Sequence, residues 1–309
     1  VTAGRPASGQ QYVITRDRLR AQVGQVAAVL RGFWVGDRAC TETWPDDLVS
    51  PMGCGMVLVP WPNRVAGGRW EHDGRDQQLD LTDPTKGNAT HGLLRNTAYT
   101  VTAHTESSVT LAATVYPQHG WPFVLDTSVT YALTDDGLQV THRLHNPGDT
   151  ALPFGVGAHP YLRVGDVPAA DLVITVDART RAVPDARMIP RGFEPVEGSE
   201  VDLRGGVRAG DVRLDTAYSD LTVEDGRVRH RLSAPDGTAL VLWADEVFRW
   251  VQVYTPDNFP GPGLPDQRVA VAMEPMTCPA DALNNHRDLL WLEPGGSWSG
   301  SWGLQPVGL

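Results

Sequence analysis

Lysine is almost missing from this chain. Lys86 is the one lysine among 26 basic residues, so Schiff-base chemistry has a single candidate and the positive charge is carried by arginine. Cysteine is scarce as well. Cys40, Cys54 and Cys278 are odd in number and lack close paired spacing, which argues against a disulfide framework or a cysteine zinc site. Buried free thiols are expected, a Cys40–Cys54 pair being open only in an oxidising compartment. No apolar run approaches the roughly 20 residues of a membrane span. Residues Val1-Thr2-Ala3-Gly4-Arg5-Pro6 lack the charged-then-apolar layout of a signal peptide, so a cytoplasmic location is expected. Clustered Lys and Arg are also lacking, and the formal net charge is -11. Counterion release from phosphates therefore has no footprint here, and a neutral or modestly charged small molecule is a better partner than nucleic acid.

Motif absences narrow the chemistry further. There is no GxGxxG after a strand, no GxxxxGK[ST], no HExxH and no GxSxG, so dinucleotide, P-loop, zincin and α/β-hydrolase readings have no support. His142 and His145 are three residues apart, which on a strand points them to opposite faces and rules out a shared metal. No metal site is expected.

Helical periodicity is nearly absent too. Short segments instead alternate apolar and polar residues and are punctuated by Gly, Pro and Asp, the pattern of antiparallel strands. The clearest hairpin runs from Thr127 to Leu133, turns at Asp135-Asp136-Gly137 and returns from Leu138 to Leu144. Asp-Gly supplies the backbone angles a tight turn needs. Further strands are predicted at 12–15, 56–59, 99–104, 109–115, 172–176, 221–223, 230–232, 239–243, 249–254 and 269–273. Many short strands with Gly turns imply an all-β sandwich of packed antiparallel sheets. No composition shift or long linker interrupts 1–309, so one domain is expected. The stretch from Asp257 to Gln267, rich in Pro and Gly, reads as a loop between two candidate site strands.

Five short segments place polar residues where strands end or where Gly and Pro constrain the backbone: Pro60-Trp61-Pro62-Asn63-Arg64, Thr90-His91-Gly92, Gly155-Val156-Gly157-Ala158-His159-Pro160-Tyr161, Leu214-Asp215-Thr216-Ala217-Tyr218 and Met273-Glu274-Pro275-Met276-Thr277. In this order, from about Pro60 to about Asn284, they resemble the aldose 1-epimerase (galactose mutarotase) family. Asn63-Arg64 is similar to its Asn-Arg pair, His91-Gly92 to its His-Gly, and His159-Pro160-Tyr161 to its His-x-Tyr. Glu274-Pro275-Met276, followed by Pro279, Ala282 and Asn284, is similar to its C-terminal Glu-Pro-Met segment.

The resemblance implies a β-supersandwich and a cofactor-free sugar mutarotase acting on a monosaccharide, as a monomer or homodimer. Glu274 would be the base toward the anomeric hydroxyl and His159 the acid toward the ring oxygen. Arg64, His91, Asp215 and Asn63 would bind the sugar, and one of Trp34, Trp61, Trp250 and Tyr254 would lie beneath its apolar face. Reference pKa values of about 4.3 for Glu and 6.5 for His would let modest site effects keep carboxylate and imidazolium together near neutrality. The segment 257–267 is expected to line or cover the pocket.

Two departures bear on substrate. Val65-Ala66-Gly67-Gly68-Arg69-Trp70 replaces the family's usual Ile and single Gly after Asn-Arg, and Pro160 resembles a divergent branch, some of whose members act on hexose 6-phosphates. Phosphate recognition would need arginines converging near Glu274, drawn from Arg64, Arg69, Arg75, Arg163 and Arg268. A non-catalytic sugar-binding protein is the alternative from another class, and it would not require both Glu274 and His159.

Overall fold

The computed structural model describes residues 4, 6–260 and 267–309. Strands dominate it, and Ala282–Asn285 is its one α-helical turn among the described residues. Two large antiparallel sheets carry the fold. The first has ten strands and runs, from edge to edge, through Thr100–His104, Ser108–Val115, Leu125–Thr134, Gly137–His145, Ser297–Val307, Ala239–Asp245, Arg227–Ser233, Val173–Val176 and Val207–Arg208, with Val223–Glu224 beside Arg227–Ser233. The second has eight strands, with Asp215–Leu221, Trp250–Tyr254 and Val271–Met276 adjacent at its centre. A four-stranded meander over Gln11–Ala39 completes the N-terminal part. This is the all-β, antiparallel architecture that the alternating pattern predicts.

Burial explains which segments pair. Leu125–Thr134 alternates buried and half-buried residues along its whole length, as a sheet with one face on a core requires. One hydrophobic cluster draws Val129, Val140, Leu242, Trp302 and Leu304 from the larger sheet and Val251, Val253, Val271 and Met273 from the smaller. Each such side chain contributes about 1.5–3 kcal/mol on burial. The central strand Ser297–Val307 was not predicted because it is rich in Ser and Gly. Its glycines are packing positions: a Cβ on Gly303 would stand 2.5 Å from the Leu138 carbonyl oxygen and from the Trp243 ring.

His142 is fully buried and takes a hydrogen bond from Trp302 Nε1 at 3.0 Å, while His145 is exposed. The two lie on opposite faces, as the strand period demands. All three cysteines are buried and free.

Candidate active site

Pleating of the central strands builds the floor of a cleft. Val251, Val253, Val271 and Met273 face the core, so Gln252, Tyr254, Ala272 and Glu274 must face the other way. Register then places Gln252 opposite Glu274, and Asp215 opposite Tyr254. Asp215 is therefore a strand residue on the floor. The strand assignment at 221–223 fails for the related reason that Leu221 ends this strand and Val223 begins another.

His159 reaches the same floor from the neighbouring strand Gly157–Ala158, which pairs with Met276 and Leu58. The glycines before it are dictated by contact. A Cβ on Gly155 would lie 2.4 Å from Cys278 Sγ, and one on Gly157 2.9 Å from Pro62 Cβ. His91 and Asn63 both adopt left-handed backbone, with φ of 61° and 56°, a strained state found at functional sites. The His91 amide donates to the Asn63 carbonyl at 2.8 Å. Gly92 follows because its α-carbon abuts Val59, whose carbonyl oxygen a Cβ would meet at 2.0 Å. Asp281 ties the C-terminal segment to this wall by accepting the Ala66 amide at 2.8 Å.

All six predicted residues, Asn63, Arg64, His91, His159, Asp215 and Glu274, line one cleft of about 300 Å³, at the lower end of the roughly 300–1,000 Å³ of small-molecule sites. His159 Nε2 lies 3.4 Å from Glu274 Oε1, with both side chains almost wholly buried. Glu274 Oε2 and His159 Nδ1 are buried with no partner among the described residues. The imidazole stacks on Tyr161 at 5.3 Å with planes 14° apart, and meets the His91 ring edge-on at 5.3 Å. On a further side is the turn Pro51–Gly53, where a Gly53 Cβ would lie 3.2 Å from the His159 ring. Arg64 donates from Nε to Asp83 at 3.1 Å and approaches Asp215 at 4.0 Å.

The sequence profile of the aldose 1-epimerase family matches residues 10–305. The chain belongs to the aldose 1-epimerase family. It is similar to the uncharacterized Escherichia coli K12 protein YihR, with 31% identity over 242 residues that cover 78% of this chain and 75% of that protein. Its fold is similar to a GalM/aldose epimerase homologue from C. elegans (TM-score 0.82, 17% identity, 96% of this chain and 99% of that one). It is also similar to a galactose 1-epimerase from Lactobacillus acidophilus NCFM (TM-score 0.75, 19% identity, 94% and 92% covered).

Within this aldose 1-epimerase family site, burial overturns the protonation state expected from reference values. It pushes Glu274 well above the ordinary carboxylate range, and Asp215 adds to the rise while Arg64 opposes it. It pushes His159 down to about 4, with Arg64 acting in the same direction. His91 is also held well below its usual value, by burial and then by the charges of His159, Arg64 and Arg95. The free site therefore favours an uncharged Glu274–His159 pair holding one proton, which differs from carboxylate and imidazolium by one transfer across the gap.

Sequence reasoning missed Gln252 and Arg95. The Gln252 amide accepts from Asn63 Nδ2 at 3.2 Å and donates to Asp215 Oδ1 at 2.5 Å. Its one signal was its polarity in an apolar strand. Arg95 lines the cleft with Nε and Nη1 buried and unpartnered among the described residues. Of the aromatic candidates only Tyr254 lines the cleft. Trp34 lies under Arg20 in the N-terminal meander, Trp61 packs on Trp121, and Trp250 donates to Asp288. The arginine convergence near Glu274 does not form: Arg69 bonds Gln78, and Arg163 and Arg268 both lie on Glu42. Of segment 257–267, residues 261–266 lie outside the described residues.

Proposed function

We propose that the protein is a mutarotase that interconverts the α and β anomers of a free aldose. The observation that carries this reading is the Glu274–His159 pair, 3.4 Å apart in the floor of the cleft, with Glu274 Oε2 left without a partner among the described residues. In the step proposed, the shared proton first crosses from Glu274 to His159; Glu274 then takes the proton of the anomeric hydroxyl, the C1–O1 bond becomes a carbonyl and the bond from C1 to the ring oxygen breaks. His159 protonates that oxygen. Rotation about C1–C2 presents the other carbonyl face, and on reclosure the ring-oxygen hydroxyl adds to C1 and gives its proton back to His159 while Glu274 gives its proton to O1. The pair thus needs one proton between its two members, which is the state burial favours.

Around it, His91 as a neutral imidazole, Arg64 as a forked donor, and Asp215 and Asn63 would hydrogen-bond sugar hydroxyls. Arg64 is already balanced by Asp83 and Asp215, which fits a neutral aldose. Arg95 supports a second reading, an aldose with an anionic substituent away from C1, because its guanidinium has no carboxylate partner among the described residues.

Polarimetry of freshly dissolved α-D-galactose and α-D-glucose tests the proposal, with 6-phosphates, uronates and pentoses as a panel. Wild type should speed the approach to anomeric equilibrium and Glu274→Gln should lose at least about 100-fold, the usual worth of a positioned base. No acceleration across the panel would leave a sugar-binding protein as the better reading.

A further inference from the structure

Glu42 was assigned nothing by its sequence context, yet its side chain is completely buried and gathers two arginines. Arg268 forks onto it, Nη1 to Oε1 at 2.8 Å and Nη2 to Oε2 at 2.5 Å, and Arg163 Nη1 stands 3.6 Å from Oε2. Desolvating such a cluster is costly, and apolar residues in its place are often as stable. Glu42 does not line the cleft, so contact with substrate does not account for it.

Its connections lead instead to His159 by two routes. Along the backbone, the Glu42 amide donates to the Tyr161 carbonyl at 2.9 Å, the Arg163 amide donates to the Cys40 carbonyl at 2.8 Å, and Thr41 bridges Leu162. Through side chains, Arg268 stands opposite Phe259 in a pair of two-residue strands, its guanidinium 5.8 Å from the ring. Phe259 packs on Tyr161 with centroids 4.7 Å apart, and Tyr161 stacks on His159 at 5.3 Å. Both aromatic rings are fully buried.

We propose that Glu42 is a positioning residue for His159, fixing Arg268 and the Tyr161 backbone so that Phe259 and Tyr161 form the wall on which the imidazole stacks. The need is physical. Rotation of an imidazole about its second side-chain torsion is broad, whereas Nε2 must stay aimed at the reacting oxygen, and a misplacement of about 1 Å can cost roughly 100-fold in rate. The kinetic consequence rests on the mutarotase reading; the geometric one does not.

Glu42→Gln keeps the size of the side chain and breaks the charged fork. Two readouts are taken on the full chain: the His159 Cε1–H resonance, assigned by its loss in His159→Asn, and steady-state anomerisation. The stacked Tyr161 shifts that resonance by its ring current. In Glu42→Gln it should move toward the free-histidine position, and kcat should fall on the order of 10-fold with KM within about twofold. Arg268→Lys, which keeps a charge without the fork, should lie between. An unmoved resonance with unchanged kcat, even at reduced thermal stability, would overturn the proposal and leave a purely structural clamp. Should wild type anomerise no sugar, the mutarotase reading fails while the resonance still decides this one. If Glu42→Gln does not fold, Arg268→Lys carries the same comparison.

Discussion

Gln252 joins two of the groups proposed to hold the sugar, and its amide is the right chemistry for that place. One end accepts from Asn63 and the other donates to Asp215. A carboxylate there would repel Asp215 and Glu274, and an apolar residue would take a partner from the buried Asn63 amide and from the half-buried Asp215 carboxylate. Asp215 is already raised by burial, which Arg64 and Gln252 oppose. Gln252→Leu should therefore cost about 1.5–3 kcal/mol of transition-state binding, the range for a hydrogen bond to a charged group. That is roughly 10- to 150-fold in kcat/KM, appearing mainly as a raised KM because the bonds serve ground state and transition state alike. Steady-state anomerisation of the preferred sugar checks it, and a pure kcat effect would place Gln252 in the chemistry instead.

Among the elements, the turn Pro51–Gly53 shows how a short irregular piece can hold a group proposed to be catalytic. Met52 and Gly53 both have positive φ, 49° and 74°, and the turn presses Gly53 to the His159 ring. Gly53→Ala should cost about 1–2 kcal/mol from the left-handed backbone and tilt the imidazole by contact. Calorimetry should show a modest fall in Tm, and kcat should fall by more than that loss of stability explains. Equal activity per folded molecule would show that the ring has room. Nothing in the sequence around Ser50 announced this turn. Elements with strict alternation, such as Leu125–Thr134 and its partner, were legible because period and Asp-Gly turn agree. Asn63, His91, His159 and Glu274 were legible through ordered motifs whose glycines answer real contacts. Asp215–Leu221 and Ser297–Val307 were not, because one carries a carboxylate at a floor position and the other is made of Ser, Gly and Trp whose packing partners are distant in sequence.

At the scale of the whole molecule, buried imidazoles set the response to acid. Burial holds His142 near about 3 and His159 and His230 near about 4, and His91 is also well below its ordinary value. Unfolding restores values near 6.5. Between the two, the unfolded chain binds protons that the native chain refuses. Stability is therefore whole above about pH 6.5 and falls as pH drops, by up to about 1.4 kcal/mol per pH unit for each group. Glu274, Asp215 and Asp281, each raised by burial, have the opposite sign and offset part of that fall. His230→Leu should flatten the decline in Tm between pH 7 and pH 5; an unchanged slope would show that His230 titrates normally in the native state.

The position of Ser297–Val307 in the larger sheet has a kinetic meaning too. It lies between Gly137–His145 and Ala239–Asp245, so hairpins on either side can close over short sequence distances while the seam joining them waits for a strand made after both. Until it arrives, each half exposes a long unpaired edge, the state in which a nascent chain is most open to mispairing with its neighbours.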